Sequence, residues 1–322
     1  MNKINSLINI LGIDREKLPD LVPPGTMLGD LTVKAAEELG LPREVKTAVG
    51  GQDLQCCLLG SGMVEDYQAH CYIGTGSWVQ CLMPEKRNDV FKAMASLPAA
   101  IPGRYQCINA QEIAGGCLTH LIRNVVRCFN CEPGDPDMDE EYKIFNDVAS
   151  RVPPGANGVI YTPWLVGEMS PVDDHYIRGG LHNLSMHNTI NDITRGVYEG
   201  VAFNTRWLSE ATEGFVKRRF PDIAMVGGGA ESDLWCQIFA DVMNKPIKQM
   251  EEPIQANIRG AAFIALAALG EISWSDISNL VNCRQVFHPE RRNRKLYDDL
   301  YGVFQEIYKK NKGIYKRLNS LG

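Results

Sequence analysis

The sequence lacks the features that mark nucleic-acid-binding and membrane proteins. Its formal net charge is −6 at pH 7 over 322 residues. No Lys/Arg stripe with interleaved aromatic residues is present, so we expect no nucleic-acid partner. The longest apolar run, at 261–270, is too short to span a bilayer, so we expect no membrane association. These absences favour an ordinary globular protein, for which a share of 44% hydrophobic and 22% charged residues is typical.

Metal-binding and secretory patterns are also missing. Ten cysteines are scattered, mostly inside apolar runs, which predicts small buried side chains in a reducing compartment. The single CxxC motif, Cys128 to Cys131, has no second CxxC or histidine pair, and the six histidines show no ligand spacing, so no zinc site is predicted. The N-terminal 20 residues carry no cleavable signal pattern, and we therefore expect a cytoplasmic location.

Strands alternate with helices along the chain, which predicts an α/β fold. A helix over 33–39 should end at Gly40, and a second should run from Gln52 to Leu59. The strand-like runs "AHCYIG" and "SWVQCLM" meet at Gly74-Thr75-Gly76, which indicates a hairpin whose glycines tolerate positive φ. Residues after 289 read as one charged helix.

Glycine turns recur after predicted strands. They comprise Gly74 to Gly76 in the hairpin, the Gly115-Gly116 pair at a predicted helix start, and the "VGGGAESD" stretch at 226–233. Glycines at such joints let backbone N–H groups approach an anion, and a helix N-terminus adds partial positive charge. Neither GxxxxGK(S/T) nor GxGxxG with its downstream acid is present, so the turns fit neither a P-loop nor a dinucleotide fold. Together they predict phosphate binding.

Asp53 directly follows the Gly50-Gly51 pair and Gln52. One interpretation is a helix-capping aspartate, which satisfies free N–H groups and needs no chemistry. The other is a carboxylate that accepts the proton of an attacking hydroxyl during phosphoryl transfer, where positioning matters more than basicity. The residues alone leave both interpretations open.

Several stretches resemble the C-terminal half of the FGGY carbohydrate kinases, most closely the xylulokinase-like group. The resemblance covers about residues 11–269. It rests on "VGGQDLQCCLLGSGMV" at 49–64, "YIGTGSWV" at 72–79, the "GE..P..D...RG" pattern from Gly167, and "VGGGAESDLWCQIFADVMNKPI" at 226–247. The last of these resembles the adenosine-binding signature of the family and is the most specific.

The resemblance implies roles for particular residues. Asp53 would be the catalytic base, and Gln52 would lie beside it on the substrate side. Nucleotide contacts would come from Gly74, Thr75, Gly76, Ser77, Gly115, Gly116, Gly228, Gly229, Ala230 and Asp233. ATP and Mg²⁺ are the implied cofactors, and no metal-ligating residue is assigned. Asp233 stands where some relatives have Asn near adenine, which would alter the adenine or ribose contact.

The implied fold is the two-lobed, actin-like ATPase fold, with the second lobe largely complete. No counterpart of most of the first, sugar-binding lobe is visible. Residues 1–46 would be the end of that first lobe, 47–288 the nucleotide-binding lobe, and 289–322 a C-terminal helix.

Two functions follow from the resemblance. The first is ATP-dependent phosphorylation of a sugar hydroxyl, on a ketopentose or related sugar or polyol. The alternative is a truncated or split nucleotide-binding lobe without activity of its own, which would need a separate first-lobe chain. A homo-oligomer is also possible, because a missing lobe would leave an apolar face exposed.

Overall fold

The computed structural model describes residues 2–127 and 137–320. The CxxC motif at Cys128 to Cys131 therefore lies outside the described residues. Within these ranges the chain forms ten α-helices and twelve strands. The helices are α1 (Asn2–Leu11), α2 (Val33–Leu39), α3 (Asp53–Gly60), α4 (Gly115–His120), α5 (Met138–Ser150), α6 (Ile190–Val216), α7 (Asp233–Met243), α8 (Ala256–Leu269), α9 (Ile277–Leu280) and α10 (Arg294–Asn319). The strands are β1 (Met27–Asp30), β2 (Lys46–Ala48), β3 (Ala69–Ile73), β4 (Ser77–Met83), β5 (Asn88–Asp89), β6 (Met94–Pro98), β7 (Tyr105–Ile108), β8 (Ile160–Thr162), β9 (Gly180–His182), β10 (Ile223–Val226), β11 (Ile247–Met250) and β12 (Cys283–Phe287).

A mixed eight-stranded sheet forms the centre of the described chain, in the order β12-β11-β10-β3-β4-β7-β6-β5. Strands β11, β10 and β3 are parallel to one another, and the remaining neighbours are antiparallel. The predicted hairpin of β3 and β4 therefore lies in the middle of the sheet. Two small antiparallel pairs, β1-β2 and β8-β9, lie outside it.

One face of the sheet is covered by a large apolar cluster. Alternate residues of β3, including Cys71 and Ile73, enter it and pack with side chains of α6, α7 and α10. The 27-residue helix α6 has Thr189 as its N-cap, and the N–H of this residue donates to the Asp192 carboxylate at 2.7 Å. Tyr297 and Phe304 of α10 are fully buried in the same cluster, so the C-terminal helix shares the core of the preceding chain.

Helices α3 and α8 cover the opposite face and approach each other unusually closely. A Cβ on Gly60 would lie 1.7 Å from the carbonyl oxygen of Ala256, and one on Gly260 would lie 1.8 Å from that of Cys56. Arg259 donates to the Gly60 carbonyl oxygen at 2.7 Å. Because no larger side chain fits at either glycine, these contacts fix where α3, and with it Asp53, meets the sheet.

Several local predictions are confirmed. Helix α2 spans residues 33–39 and ends at Gly40, which adopts φ 65°. The β3-β4 hairpin forms where the sequence predicts it, α3 follows the prediction to within one residue at each end, and α10 occupies the predicted C-terminal helix. The described cysteines are free; seven are buried and Cys283 is exposed. Burial raises the pKa of Cys57 and Cys107 to about 12, so these thiols stay protonated.

Candidate active site

The hairpin between β3 and β4 places a three-residue loop at one edge of the sheet. Ile73 pairs with Ser77, and the Gly74 N–H donates to the Gly76 carbonyl oxygen at 2.9 Å. The expectation that these glycines serve positive φ is wrong, since neither adopts it. Glycine is needed at both positions because there is no room for a side chain. A Cβ on Gly74 would lie 2.5 Å from the Tyr72 hydroxyl oxygen, and one on Gly76 would lie 2.8 Å from the Gln111 carbonyl oxygen.

Helix α4 begins against this loop. The Gly115 N–H donates to the Gly74 carbonyl oxygen at 2.8 Å, and the Gly116 N–H donates to that of Thr75 at 3.1 Å. A Cβ on Gly115 would lie 2.6 Å from the Gly74 oxygen. These amides are therefore already occupied by the hairpin, whereas the Thr75 and Gly76 N–H groups make no hydrogen bond within the described ranges.

The third glycine turn packs on the end of β3. Gly227 follows β10 with φ 88°, and a Cβ there would lie 2.5 Å from the Ile73 carbonyl oxygen. A Cβ on Gly229 would lie 2.4 Å from Cγ2 of the same Ile73. Since Ile73 immediately precedes Gly74, the three turns predicted from the sequence meet at one place.

The residues after Gly227 differ in accessibility. Gly228 is exposed, does not adopt positive φ, and a Cβ there would meet nothing within 4 Å. Ala230 is fully buried, and its carbonyl oxygen accepts from Gln249 Nε2 at 2.8 Å. Asp233, the first residue of α7, is exposed; its Oδ1 accepts from the same Gln249 nitrogen at 2.9 Å and lies 3.8 Å from Arg284 Nη2.

Asp53 is the first residue of α3 rather than its cap. Gln52 holds the N-cap position, and its N–H donates to Gln55 Oε1 at 2.9 Å. The Asp53 carboxylate is exposed, accepts through Oδ1 from the adjacent Leu54 N–H at 2.7 Å, and forms no ion pair within the described part of the chain. Asp53 therefore does not hold the N-cap position, although its carboxylate satisfies one free N–H of the first helical turn.

Asp53 lies within electrostatic range of Tyr72, which is the β3 residue before Ile73. The pKa of Tyr72 is raised by burial first, then by Cys57 and Asp53. A Cβ on Gly74 would lie 2.5 Å from the Tyr72 hydroxyl oxygen. Tyr72 therefore connects the carboxylate with the hairpin turn.

An aromatic pair that the sequence analysis did not single out lies beside them. Tyr72 and Trp78 stack at 4.0 Å between ring centroids with an interplanar angle of 8°, and both are half-buried. Trp78 Nε1 donates to His70 Nε2 at 3.2 Å. Burial lowers the pKa of His70 to about 3, so the ring stays neutral and accepts this bond. The pairing of Tyr72 with Trp78 across the strands is the signal that would have revealed the stack.

A buried polar network supports the hairpin from behind. The Ser77 hydroxyl donates to Gln111 Oε1 at 2.8 Å, and Gln111 Nε2 donates to the Asn204 carbonyl oxygen of α6 at 2.8 Å. Ser77 itself is buried. The loop is therefore anchored to the longest helix of the described chain.

Glu168 extends this network. Its Oε2 accepts from Asn204 Nδ2 at 2.6 Å, and its Oε1 accepts from the N–H groups of Glu112 and Met169 at 3.2 Å and 2.9 Å. Burial raises the pKa of Glu168 to about 8, and these hydrogen bonds oppose the shift. Through these contacts Glu168 links the 112 and 169 backbone segments to α6.

Within residues 2–127 and 137–320, no group of three or more His, Cys, Asp or Glu side chains could hold a metal ion. In the same ranges, no helix is both long and apolar enough to cross a membrane.

Residues 69–269 match the model of the FGGY family of carbohydrate kinases, C-terminal domain. The chain belongs to this family. The matched range contains the hairpin, the helix α4 turn and the 227–230 turn, whereas Asp53 lies just before it. Membership confirms the family resemblance drawn from the sequence.

Proteins named as kinases align with most of this chain. A xylulose kinase of Staphylococcus epidermidis is 29% identical over 300 residues, which cover 91% of this chain and 57% of that protein. A gluconokinase of Bacillus subtilis is 24% identical over 302 residues, covering 92% and 58%. The chain thus spans less than two thirds of the length of these relatives.

Solved structures agree on the fold. The ligand-bound xylulose kinase from Lactobacillus acidophilus superposes with a TM-score of 0.83 at 23% identity, covering 98% of this chain and 61% of that one. The likeness confirms the α/β, actin-like ATPase fold expected from the sequence, with this chain matching part of it.

Proposed function

We propose that this chain carries the nucleotide-binding lobe and the catalytic base of an ATP-dependent sugar kinase. The observation that supports this most strongly is the meeting of three glycine turns at Ile73, with the exposed Asp53 carboxylate within electrostatic range of the neighbouring Tyr72. Phosphoryl transfer requires mainly positioning and charge stabilisation, which such an arrangement supplies.

The phosphates of ATP would lie at the hairpin. The Thr75 and Gly76 N–H groups are the free donors there, and the Thr75 hydroxyl adds a further donor. Gly115 and Gly116 would act indirectly, since their N–H groups hold the hairpin carbonyls in place. Ser77 would likewise support the loop through Gln111. Direct nucleotide contacts of these last three residues remain predictions.

The adenosine would lie along the 227–230 turn. Gly228 has neither a positive φ nor a neighbour that requires glycine, so its exposed, side-chain-free surface is suited to close approach of a ligand. Gly229 and Ala230 would shape the turn beneath it. Asp233, exposed at the start of α7, is suited to accept a hydrogen bond from a ribose hydroxyl or an adenine amine.

Mg²⁺ would arrive with the nucleotide. The described residues offer no ready-made metal cluster, and Mg²⁺ in phosphotransferases is commonly held by substrate phosphates, one or two carboxylates and water. Bound there, it would neutralise charge on the phosphates. Asp53, an exposed carboxylate, would be available to a water of that shell.

Asp53 would accept the proton of the attacking sugar hydroxyl. It needs no raised basicity, because the proton moves late in a loose transition state. Gln52 is exposed next to it and would contact the sugar. The stacked Tyr72 and Trp78 rings offer an amphipathic surface against which the apolar face of a sugar can pack.

For the sugar that accepts the phosphoryl group, we propose only a chemical class. One relative is named for xylulose and another for gluconate, and both align with this chain to a similar extent. A ketopentose or related sugar or polyol is our first choice.

We also propose that residues 1–46 belong to the end of the first lobe, 47–288 to the nucleotide lobe, and 289–322 to a C-terminal helix. The N-terminal segment exposes several large apolar side chains, as a segment that packs against more protein would. They include Leu7, Ile10, Leu11, Leu21, Leu28 and Leu39. A separate first-lobe chain or a second copy of this chain would cover them, and the cytoplasmic location stays a prediction.

Two measurements test the function and separate it from the alternative of a lobe without activity of its own. Calorimetry with MgATP measures nucleotide binding, and an assay coupled to ADP release then measures turnover with xylulose, ribulose and gluconate. We expect binding in the micromolar to millimolar range and ADP release that depends on the sugar. Binding without turnover would favour the split or truncated lobe, and absence of binding would contradict both.

A further inference from the structure

A polar cavity lies at the end of the parallel strands opposite the glycine turns. It is formed where α6 ends, where α7 turns into β11, and where α10 begins. Its volume is about 490 Å³, which is enough for a small-molecule ligand. The glycine turn at 227–230 follows Val226, the last residue of β10. The cavity lies at the other end of this strand, beyond its first residue, Ile223. We call it the basic pocket.

The basic pocket carries an excess of positive charge. Its lining includes six cationic side chains and two carboxylates, Glu210 and Glu213. The cations are Arg206, Lys217, Arg218, Arg219, Lys245 and Arg294. The chain as a whole carries a net charge of −6, so this local excess opposes the overall charge.

Half of the cations are neutralised and held in place by the protein. Arg206 is buried, donates to Glu210 at 2.9 Å and to Asp298 at 2.8 Å, and lies 4.1 Å above the Tyr301 ring. Lys245 contacts Glu213 at 2.7 Å, and Arg294 contacts the same Asp298 at 2.6 Å. These groups form a rigid wall.

The other three cationic side chains are consecutive in the sequence, and none is paired with a carboxylate of the described residues. Lys217, Arg218 and Arg219 are exposed and form no ion pair within the described residues; Arg218 lies 5.6 Å from the centroid of the Tyr67 ring. Three like charges at adjacent positions repel one another, and an anion in the adjoining cavity would relieve that repulsion. Their number is too small, and the cavity too compact, for a nucleic-acid track.

We propose that the basic pocket binds a small, multiply charged anion of the phosphorylated-metabolite class. The Lys217 to Arg219 segment supplies the charge, and the wall around Arg206 supplies a fixed donor arrangement. This inference does not depend on the proposed kinase function, because none of its residues belongs to the candidate active site.

Calorimetry with inorganic pyrophosphate tests the proposal. The variant K217Q/R218Q/R219Q removes the unpaired charges and leaves every hydrogen bond of the wall intact. The matched control K309Q/K312Q/R317Q removes the same charge from the exposed surface of α10. A third variant, Gly214→Glu, adds a carboxylate to the lining at a helical site where a Cβ would meet nothing within 4 Å, so folding is not impaired.

We expect the parent to bind pyrophosphate, K217Q/R218Q/R219Q and Gly214→Glu to bind at least tenfold more weakly, and the control to bind within about twofold of the parent. Affinity should also fall as salt is raised. Failure of the parent to bind at 10 mM pyrophosphate would overturn the proposal. Equal affinity of all four proteins would also overturn it, because the anion would then bind elsewhere. An equal loss of affinity in the control variant would overturn it as well, because the effect would then come from net charge alone.

Discussion

The two ends of the parallel strands offer a ligand different kinds of groups. At the end where β10 leads into Gly227, glycines let backbone segments touch, and the proposed binding groups are amides and one carboxylate. At the other end, long cationic side chains line a cavity. The first end is defined by sterics and tolerates little change, whereas the second is defined by charge, and its exposed residues tolerate substitution. Variants at the glycine end should therefore alter geometry, and variants at the basic end should alter salt-dependent affinity alone.

The largest effect is expected at Asp53. Asp53→Asn keeps the size of the side chain and removes its ability to accept a proton, so turnover should fall by about 10³-fold, within the range for a general base. Affinity for MgATP should stay within a few fold, since in the proposed mechanism the carboxylate acts on the sugar hydroxyl. ADP release and calorimetry measure the two quantities, on this chain or together with a first-lobe chain if turnover needs one. A kcat near that of the parent would remove Asp53 from the mechanism.

The next effect concerns the close contact that positions α3. Gly260→Ala places a methyl group 1.8 Å from the Cys56 carbonyl oxygen, and we expect it to lower the free energy of unfolding by about 3 kcal/mol. Gly302→Ala on α10, where a Cβ meets nothing within 4 Å, is the control and should stabilise by about 1 kcal/mol. Urea denaturation measures both. Equal stability of the two variants would show that α3 and α8 separate easily.

A smaller effect should appear in the pH dependence of stability. The folded pKa of Glu168, about 8, exceeds its ordinary value of 4.5, so the folded state holds a proton that the unfolded state has lost. Its stabilising contribution is complete below pH 4.5 and is lost as pH rises toward 8. Relative to Glu168→Gln, the parent should therefore lose about 2 kcal/mol between pH 5 and 8, within the limit of 1.36 kcal/mol per pH unit for one proton.

The test is how the difference in free energy of unfolding between the parent and Glu168→Gln changes with pH. A constant offset between the parent and Glu168→Gln would reflect altered hydrogen bonding to Asn204. A flat difference across pH 5 to 8 would mean that Glu168 is ionised throughout.

The smallest effect separates two neighbouring glycines. Gly228→Ala adds a methyl group to open space, so stability should be unchanged while MgATP affinity falls about tenfold, or 1.4 kcal/mol. Gly229→Ala meets Ile73 at 2.4 Å and should lose stability first. Thermal unfolding and calorimetry measure the pair. Unaltered MgATP affinity in Gly228→Ala would place the nucleotide elsewhere.

Local features of the fold follow from the sequence because their causes are local. Gly40 ends α2 through its own left-handed conformation, and the glycines between two strand-like runs predict the β3-β4 hairpin. Strand β12 escaped prediction because four of its five residues are exposed and show no apolar alternation. Strands β5 and β6 are a short edge pair whose pattern is equally weak.

The site was predictable only in part, for a similar reason. Each glycine turn can be read from its own few residues, and the family resemblance connects them. Their meeting at Ile73, the burial of Glu168, and the Tyr72-Trp78 stack depend on contacts between distant segments. The basic pocket combines residues between 206 and 294, so no local sequence pattern predicts it.

Backbone amide NMR during titration with MgADP tests the central claim most directly. We expect the largest chemical-shift changes at Thr75, Gly76, Gly228 and Gly229, and smaller ones at the start of α3 around Asp53. Changes confined to residues 214–219, or spread without preference over the chain while the glycine turns stay unchanged, would contradict the claim that these turns form one nucleotide site.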